Sequence, residues 1–255
     1  MSRATRRGGA ATGIRAAGIR AAGIGLAGVG VANAVPAISS ARGLRVALAP
    51  ALSGVGRRGQ LAFTFDDGPD PVSTPLFLEL LADRGIRATF FLLGFMVRRS
   101  PGLAAEIATA GHEIGVHGDA HRNLLFRDPV STMADIRRGR DVIADAAGIE
   151  PRWYRPPYGI LTSSAAIGAK RAGLRPVLWT TWGWDWSARS TPDSVGRTVR
   201  RHLGDAGTVL LHDADCTSAP GAWRSTLGAL PGLLDDCQSR GWRPVTLSEH
   251  LEGPA

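Results

Sequence analysis

From Gln60 to the C-terminus, short runs of β-branched and aromatic residues alternate with longer stretches of helical pattern, and this alternation leaves few folds open. Leu61-Ala-Phe-Thr-Phe65 reads as a strand that stops at Asp66-Asp67-Gly68-Pro69, a turn by composition. Thr74-Pro75 then supplies an N-cap followed by proline at the first helical position, so a helix is expected from there to Gly85. Further strands are expected at Ala88–Leu93, Glu113–Val116, Arg152–Tyr154, Pro176–Thr180, Thr208–Leu211 and Pro244–Thr246. Helices are expected between them, near Gly102–Ala110, 130–147, 163–172, 193–203 and 223–240. Strands separated by helices pair in parallel and carry the helices on the outside. About seven such units predict an α/β fold, a distorted (β/α) barrel with its active site at the C-terminal ends of the strands.

Composition narrows the partners. Hydrophobic residues make up 44% of the 255, enough for a sizeable core, which excludes general disorder. The net charge of +8 would suggest nucleic acid if it lay on the folded part. Residues 1–58, however, hold nine arginines and no acidic residue, leaving 21 basic side chains against 22 acidic ones in the remainder. No nucleic-acid partner is therefore expected. Residues 1–58 are read as a basic and apolar leader, and 59–255 as the folded domain. In the leader, arginines crowd the first twenty residues, an uncharged stretch runs from Ala21 to Ala41, and Ala32-Asn33-Ala34 offers a small-residue cleavage pattern. That order favours a signal peptide and export. A retained membrane anchor facing the cell wall is the second reading. A low-complexity tail in a cytoplasmic protein is the third, since Gly13-Ile-Arg-Ala-Ala recurs at Gly18. Cys216 and Cys237 lack the CxxC spacing of a metal or redox site, and are either one disulfide or two separate thiols.

Polar residues fall just after the expected strands, at Asp66, His117, Arg155, Asp185 and His212, which places them together on the C-terminal face of the barrel. The Asp66-Asp67 pair is either a solvated turn or a source of metal ligands. His117 and His121, four apart, are expected on one helical turn with both imidazoles pointing the same way. Two histidines and one aspartate leave coordination positions open, as a catalytic metal requires. Such a set suits zinc, with cobalt, nickel or manganese as competitors. His212, at a strand end, has a reference pKa near neutrality and suits proton donation. His112 and His202 belong to no cluster and are read as structural.

Thr64-Phe-Asp-Asp-Gly-Pro69, His117-x-x-x-His121, Arg155-Pro-Pro-Tyr-Gly159, Asp185-Trp186 and Leu210-Leu-His-Asp213 follow one another in order. Over roughly residues 58–250 the chain thus resembles the NodB-type polysaccharide deacetylases, carbohydrate esterase family 4. The resemblance implies metal-dependent removal of acetyl groups from N-acetylated or O-acetylated sugar polymers, with peptidoglycan or chitin-like oligomers as the leading substrates. It implies Asp66 as general base, Asp67 as metal ligand beside His117 and His121, and Arg155 as the residue that orients the base. The backbone N–H of Tyr158 would face the oxyanion, and Asp185 would pair with His212, the general acid. Leu210, Trp186 and Pro156 are expected at the substrate. Of the four clustered tryptophans, 179, 182, 184 and 186, some are expected in the core and others as platforms for sugar faces. One position departs from the family: Gly118 stands where a Ser or Thr usually bonds within the histidine loop, which predicts a looser turn. Two alternatives are a same-fold hydrolase of a small non-sugar amide and a carbohydrate-binding protein with a dead site. The intact base, ligands and acid argue against the dead site, because a binder needs none of them.

Overall fold

A computed structural model describes residues 42–253; the expectations for residues 1–41 lie outside the described residues. The fold is built around β1 (Gln60–Asp66), the hub of an all-parallel sheet. β7 (Thr208–His212) pairs along one edge of β1, from Ala62 to Asp66. The other edge is shared: β2 (Thr89–Leu92) takes Thr64–Asp66 and β8 (Arg243–Val245) takes Gln60–Ala62. Beyond β2 come β3 (Glu113–Val116), β4 (Trp153–Tyr154) and β5 (Arg175–Pro176), while β6 (Thr181–Trp182) lies outside β7. Among the described residues no ladder joins β5 to β6, so the sheet curls into a distorted, open barrel of the expected kind.

Helix α1 (Arg42–Leu48) precedes the first strand; α2 (Thr74–Asp83), α3 (Gly94–Arg99), α4 (Pro101–Thr109), α5 (Pro129–Ala147), α6 (Ser163–Arg171), α7 (Pro192–Arg200) and α8 (Trp223–Ser239) lie between strands; and α9 (Leu247–Glu252) follows the last. Their ends follow local chemistry. The Asp128 side chain accepts from Ser131 N at the start of α5, and Gly148, at φ 67°, ends it in the left-handed conformation. α7 begins with a reciprocal Thr191–Ser194 capping box.

Strand alternation sorts the side chains. Leu61, Phe63 and Phe65 of β1 point outward into the main core with Phe77 and Leu81 of α2 and Phe90 of β2, all fully buried. Ala62 and Phe91 point inward, where with Trp153, Val177 and Leu247 they plug the lower barrel. The inward positions above that plug are Thr64 and Asp66.

Two expectations are corrected. The strand expected at Pro176–Thr180 is two short strands with a gap, because its backbone groups bond elsewhere. Leu178 N donates to Leu52 O at 2.7 Å, Leu178 O accepts from Arg155 at 3.0 Å, and Trp179 O accepts from Arg45 at 2.6 Å. The assignment of 42–58 to the leader also fails, since this stretch docks on the domain. Arg45 is 3% exposed and also donates to Ser53 Oγ at 3.2 Å. Gly54 O accepts from Thr208 Oγ1 at 2.7 Å, and a Cβ at Gly54 would sit 2.5 Å from that hydroxyl. A charge count cannot see that one of the nine arginines is buried as a packing residue. Among the described residues no helix is long and apolar enough to cross a membrane.

Arg45→Ala removes the donor from Trp179 O and Ser53 Oγ and should cost about 1–3 kcal/mol of stability. An equilibrium urea titration of the full chain checks this; an unchanged midpoint would mean that the segment contributes nothing to the folded domain.

Candidate active site and metal centre

The inward parity of the strands continues past their ends. Asp66 follows Ala62 and Thr64, His212 follows Thr208 and Leu210, and His117 and Arg155 continue the inward rows of β3 and β4 by one residue. Side chains from four strands therefore converge at the C-terminal mouth of the barrel. Asp66, Asp67, His117, His121, Tyr158, Trp186, Leu210 and His212 line one cavity there, of 320 Å³.

Asp67, His117 and His121 each present a ligand atom, all within 4.8 Å of one another. Asp67 Oδ1 lies 3.5 Å from His117 Nε2 and 3.6 Å from His121 Nε2. An ion held tetrahedrally by bonds of about 2.0–2.1 Å separates its ligand atoms by about 3.4 Å, which the two Asp67–histidine separations match. Asp67 Oδ1 is buried with no hydrogen-bond partner, which is costly for a carboxylate oxygen unless a cation faces it. Its companion Oδ2 accepts from Thr217 Oγ1 at 2.5 Å. His117 Nδ1 donates to the carbonyl of Arg155 at 2.8 Å, which leaves Nε2 with a free lone pair for a metal. Burial and the neighbouring His117 push His121 down to about 4, so His121 is a neutral imidazole at pH 7. Burial works against the charge of Asp67, but His212, His117, His121 and the Thr217 hydroxyl together hold its carboxyl below the usual range.

The two histidines are not on a helical turn. His117–His121 is an irregular bend with Gly118 at φ 105°, a conformation that no helix contains. The bend is not loose either. Gly94 N and Phe95 N donate to Gly118 O and Asp119 O at 3.0 Å each, and Asp135 on α5 accepts from Asp119 N. The ring centroids of His117 and His121 lie 5.2 Å apart, and the Tyr158 ring packs edge-on against His121.

Asp66, 2% exposed, accepts from Arg155 Nη1 at 2.7 Å. The same nitrogen donates to Thr64 Oγ1 at 2.7 Å, and the guanidinium lies 4.0 Å above the Phe91 ring. On the far wall His212 Nδ1 donates to Asp185 Oδ1 at 2.9 Å. Asp185 Oδ2 takes His212 N at 2.8 Å and Thr226 Oγ1 at 2.6 Å. Burial alone would lower the His212 pKa, but Asp185, with Asp67 and Asp66 farther off, pushes it up to about 10. His212 is therefore a proton donor at neutral pH.

Arg155 and Asp185 stand behind the cavity wall and bond to Asp66 and His212, which line it. Pro156, expected at the substrate, is buried and does not line the cavity; Tyr158 and Gly159 form that wall. Trp179, Trp182 and Trp186 line it, and Trp184, 55% exposed, stacks on Trp186 outside. The backbone is left-handed at Asp67 (φ 79°) and Tyr158 (φ 59°), which aims both residues inward. Cys237 is buried in the core and Cys216 sits by Asp67 O at 3.4 Å, so they are separate thiols. His112 is structural as expected, accepting from Ala88 N. Thr217 and Thr226 escaped sequence reading because each bonds a partner 41–150 residues away, and Thr64, which opens the first motif, was given no role there.

Comparison with known proteins agrees with this geometry. Residues 54–177 match the polysaccharide deacetylase family. A peptidoglycan-N-acetylglucosamine deacetylase of Bacillus cereus is 37% identical over 194 residues, covering 75% of this chain and 87% of the relative. A chitooligosaccharide deacetylase of a Bradyrhizobium species is 33% identical over 187 residues, 70% of this chain and 84% of the relative. The crystal structure of a peptidoglycan N-acetylglucosamine deacetylase bound to an N-hydroxybenzamide superposes with a TM-score of 0.72 at 27% identity, covering 80% of this chain and 92% of that one.

The raised His212 pKa has a consequence for stability. Its reference value is 6.5 and its folded value about 10, so the stabilisation is complete below pH 6.5 and is lost as pH rises toward 10. Asp185→Asn should lower the His212 pKa and flatten that alkaline loss. Histidine NMR titration with urea melts at several pH values checks both; an unmoved His212 resonance would unseat Asp185 as its partner.

Proposed function

The chain belongs to the polysaccharide deacetylase family, a metal-dependent hydrolase that removes acetyl groups from sugar polymers, and from that premise we propose that it de-N-acetylates the N-acetylglucosamine of peptidoglycan. One observation carries the reading: a buried carboxylate held by an arginine and a protonated imidazole held by an aspartate line one cavity with a three-ligand metal site. The relatives named above support the substrate, one acting on peptidoglycan and another on chitooligosaccharides. Two imidazoles and one carboxylate suit zinc among the divalent ions. Zinc, when bound, supplies Lewis-acid polarisation of the acetyl carbonyl and lowers the pKa of water.

The chain's own residues do the rest. Asp66 takes the proton of the attacking water, its carboxylate kept in line by Arg155 and Thr64. The Tyr158 N–H, presented by the left-handed turn, stabilises the developing oxyanion. His212 gives its proton to the departing nitrogen, because an amine leaves poorly as an anion, and Asp185 stabilises the imidazolium meanwhile. Leu210 and Trp186 wall the space for the acetyl methyl. Export by the arginine-rich residues 1–41 is part of the same reading, because it brings the enzyme to the wall polymer.

Acetate release by the full chain should be observed from peptidoglycan and from N-acetylglucosamine oligomers, faster from peptidoglycan, stopped by chelator and restored by zinc. Faster release from the free oligomers overturns the wall substrate. Asp66→Asn should lower kcat at least about 100-fold with zinc still bound, whereas His121→Ala should lose zinc and turnover together. A fully active His121→Ala enzyme would remove that residue from the ligand set.

A further inference from the structure

The bend that carries His117 and His121 is held by a residue that no motif contains. Asp135, 3% exposed on the second turn of α5, places Oδ2 against the bend, accepting from Asp119 N at 3.0 Å and more weakly from Ala120 N at 3.5 Å. Its Oδ1 is anchored by Arg127 Nη1 at 3.1 Å and Arg138 Nη2 at 3.8 Å. The carboxylate is thus fixed by two cations on one side and turned toward two loop amides on the other. α5 approaches so closely that a Cβ at Gly139 would lie 2.5 Å from the Gly118 carbonyl carbon. A Cβ at Gly118 would lie 2.9 Å from Asp135 Oδ2, closer than the two can stand. Gly118 is also at φ 105°, where a side chain is strained. The opposite side of the bend is held by the α3 amides of Gly94 and Phe95, so its backbone is clamped between two helices.

We propose that Asp135 is a positioning residue for the metal site: from α5 it sets the separation of the His117 and His121 imidazoles, and Gly118 is glycine because that carboxylate occupies the space of a side chain. The two positions form one unit. An acceptor that orients a ligand-bearing segment governs metal affinity, since an ion tolerates only small departures of its ligands from about 2.0–2.1 Å. This rests on Asp67, His117 and His121 being the ligands, and the experiment separates the two claims.

The test is zinc affinity of the full chain, read by competition with a colorimetric chelator, alongside the melting temperature of the metal-free protein. Asp135→Ala should weaken zinc binding about 10- to 100-fold, and Asp135→Asn, which keeps one oxygen for the two amides, should recover most of that loss. Gly118→Ala should reproduce the loss by displacing the carboxylate. The double variant should then be no worse than the weaker-binding single variant, because both act on one contact. Ile136→Val, a core change on the same helix, should lower the melting temperature without moving zinc affinity. Zinc binding within threefold of wild type in Asp135→Ala, independent addition of the Gly118 and Asp135 effects, or an equal affinity loss in Ile136→Val each overturns the proposal. Should Asp135→Ala not fold, Asp135→Ser, whose shorter side chain cannot span to the bend amides, replaces it under the same threefold criterion. Undiminished binding in His121→Ala overturns the ligand assignment itself.

Discussion

The Arg155 guanidinium, wholly buried inside the barrel, is the interaction on which the rest of the site depends. It touches Asp66, Thr64 and the Leu178 carbonyl, and it lies on the Phe91 ring that belongs to the apolar plug below. It therefore ties the first strand, the fourth and the gap between β5 and β6 into one network. Removing one partner of such a buried ion pair costs about 3–5 kcal/mol, because the other charge is left without compensation. The same residue supplies the carbonyl that orients His117, so Asp66 and His117 are both set by a single position.

Around that pair the chain departs from ordinary backbone geometry where chemistry is placed. Asp67, Gly118 and Tyr158 all have positive φ, one in each of three loops at the mouth. Left-handed backbone at a non-glycine residue costs of order 1–3 kcal/mol and persists only where surrounding contacts over-determine it. Here those contacts are specific. Thr217 holds the Asp67 carboxylate, α3 and Asp135 hold the bend at Gly118, and the Tyr158 ring packs on His121. The lower barrel, by contrast, is filled by an apolar plug of Ala62, Phe91, Trp153, Val177 and Leu247, beside which Glu113 takes hydrogen bonds from Thr89 and Trp153.

Much of this was legible in the chain. β3 lies within its expected bounds, and α2, α4, α5, α6 and α8 lie within two residues of theirs at each end, because caps, prolines and glycines mark them locally. The short helix α3 was not expected, since six residues give too little periodicity to distinguish a helix from a loop. The run 176–180 was over-read as a strand, because β-branched and apolar composition says nothing about which backbone groups find partners. At the site, Asp66, Asp67, His117, His121 and His212 stood out by residue type and position after strands, while the roles expected of them came from the family resemblance. Their supports Thr217, Thr226 and Asp135 did not, and Thr64 stood in a motif without an assigned role. Threonine and aspartate are common everywhere, and these act across the fold rather than along it.

The sequence by itself determined the order of strands and helices, the inward parity that puts Asp66, Arg155, His117 and His212 at one end, and the chemical types available there. Periodicity and capping are local properties, so they survive without knowledge of the fold. Only the tertiary structure decided that 42–58 belongs to the domain, that His117 and His121 meet through a clamped bend rather than a helical turn, and that Pro156 stands away from the cavity. Each of these depends on hydrogen bonds between segments far apart in the chain, such as Arg45 to Trp179, Asp135 to Asp119 and Thr217 to Asp67. A residue's donors and acceptors are written in the sequence; which of them are satisfied, and by what, is settled only when the barrel curls and brings those segments into contact.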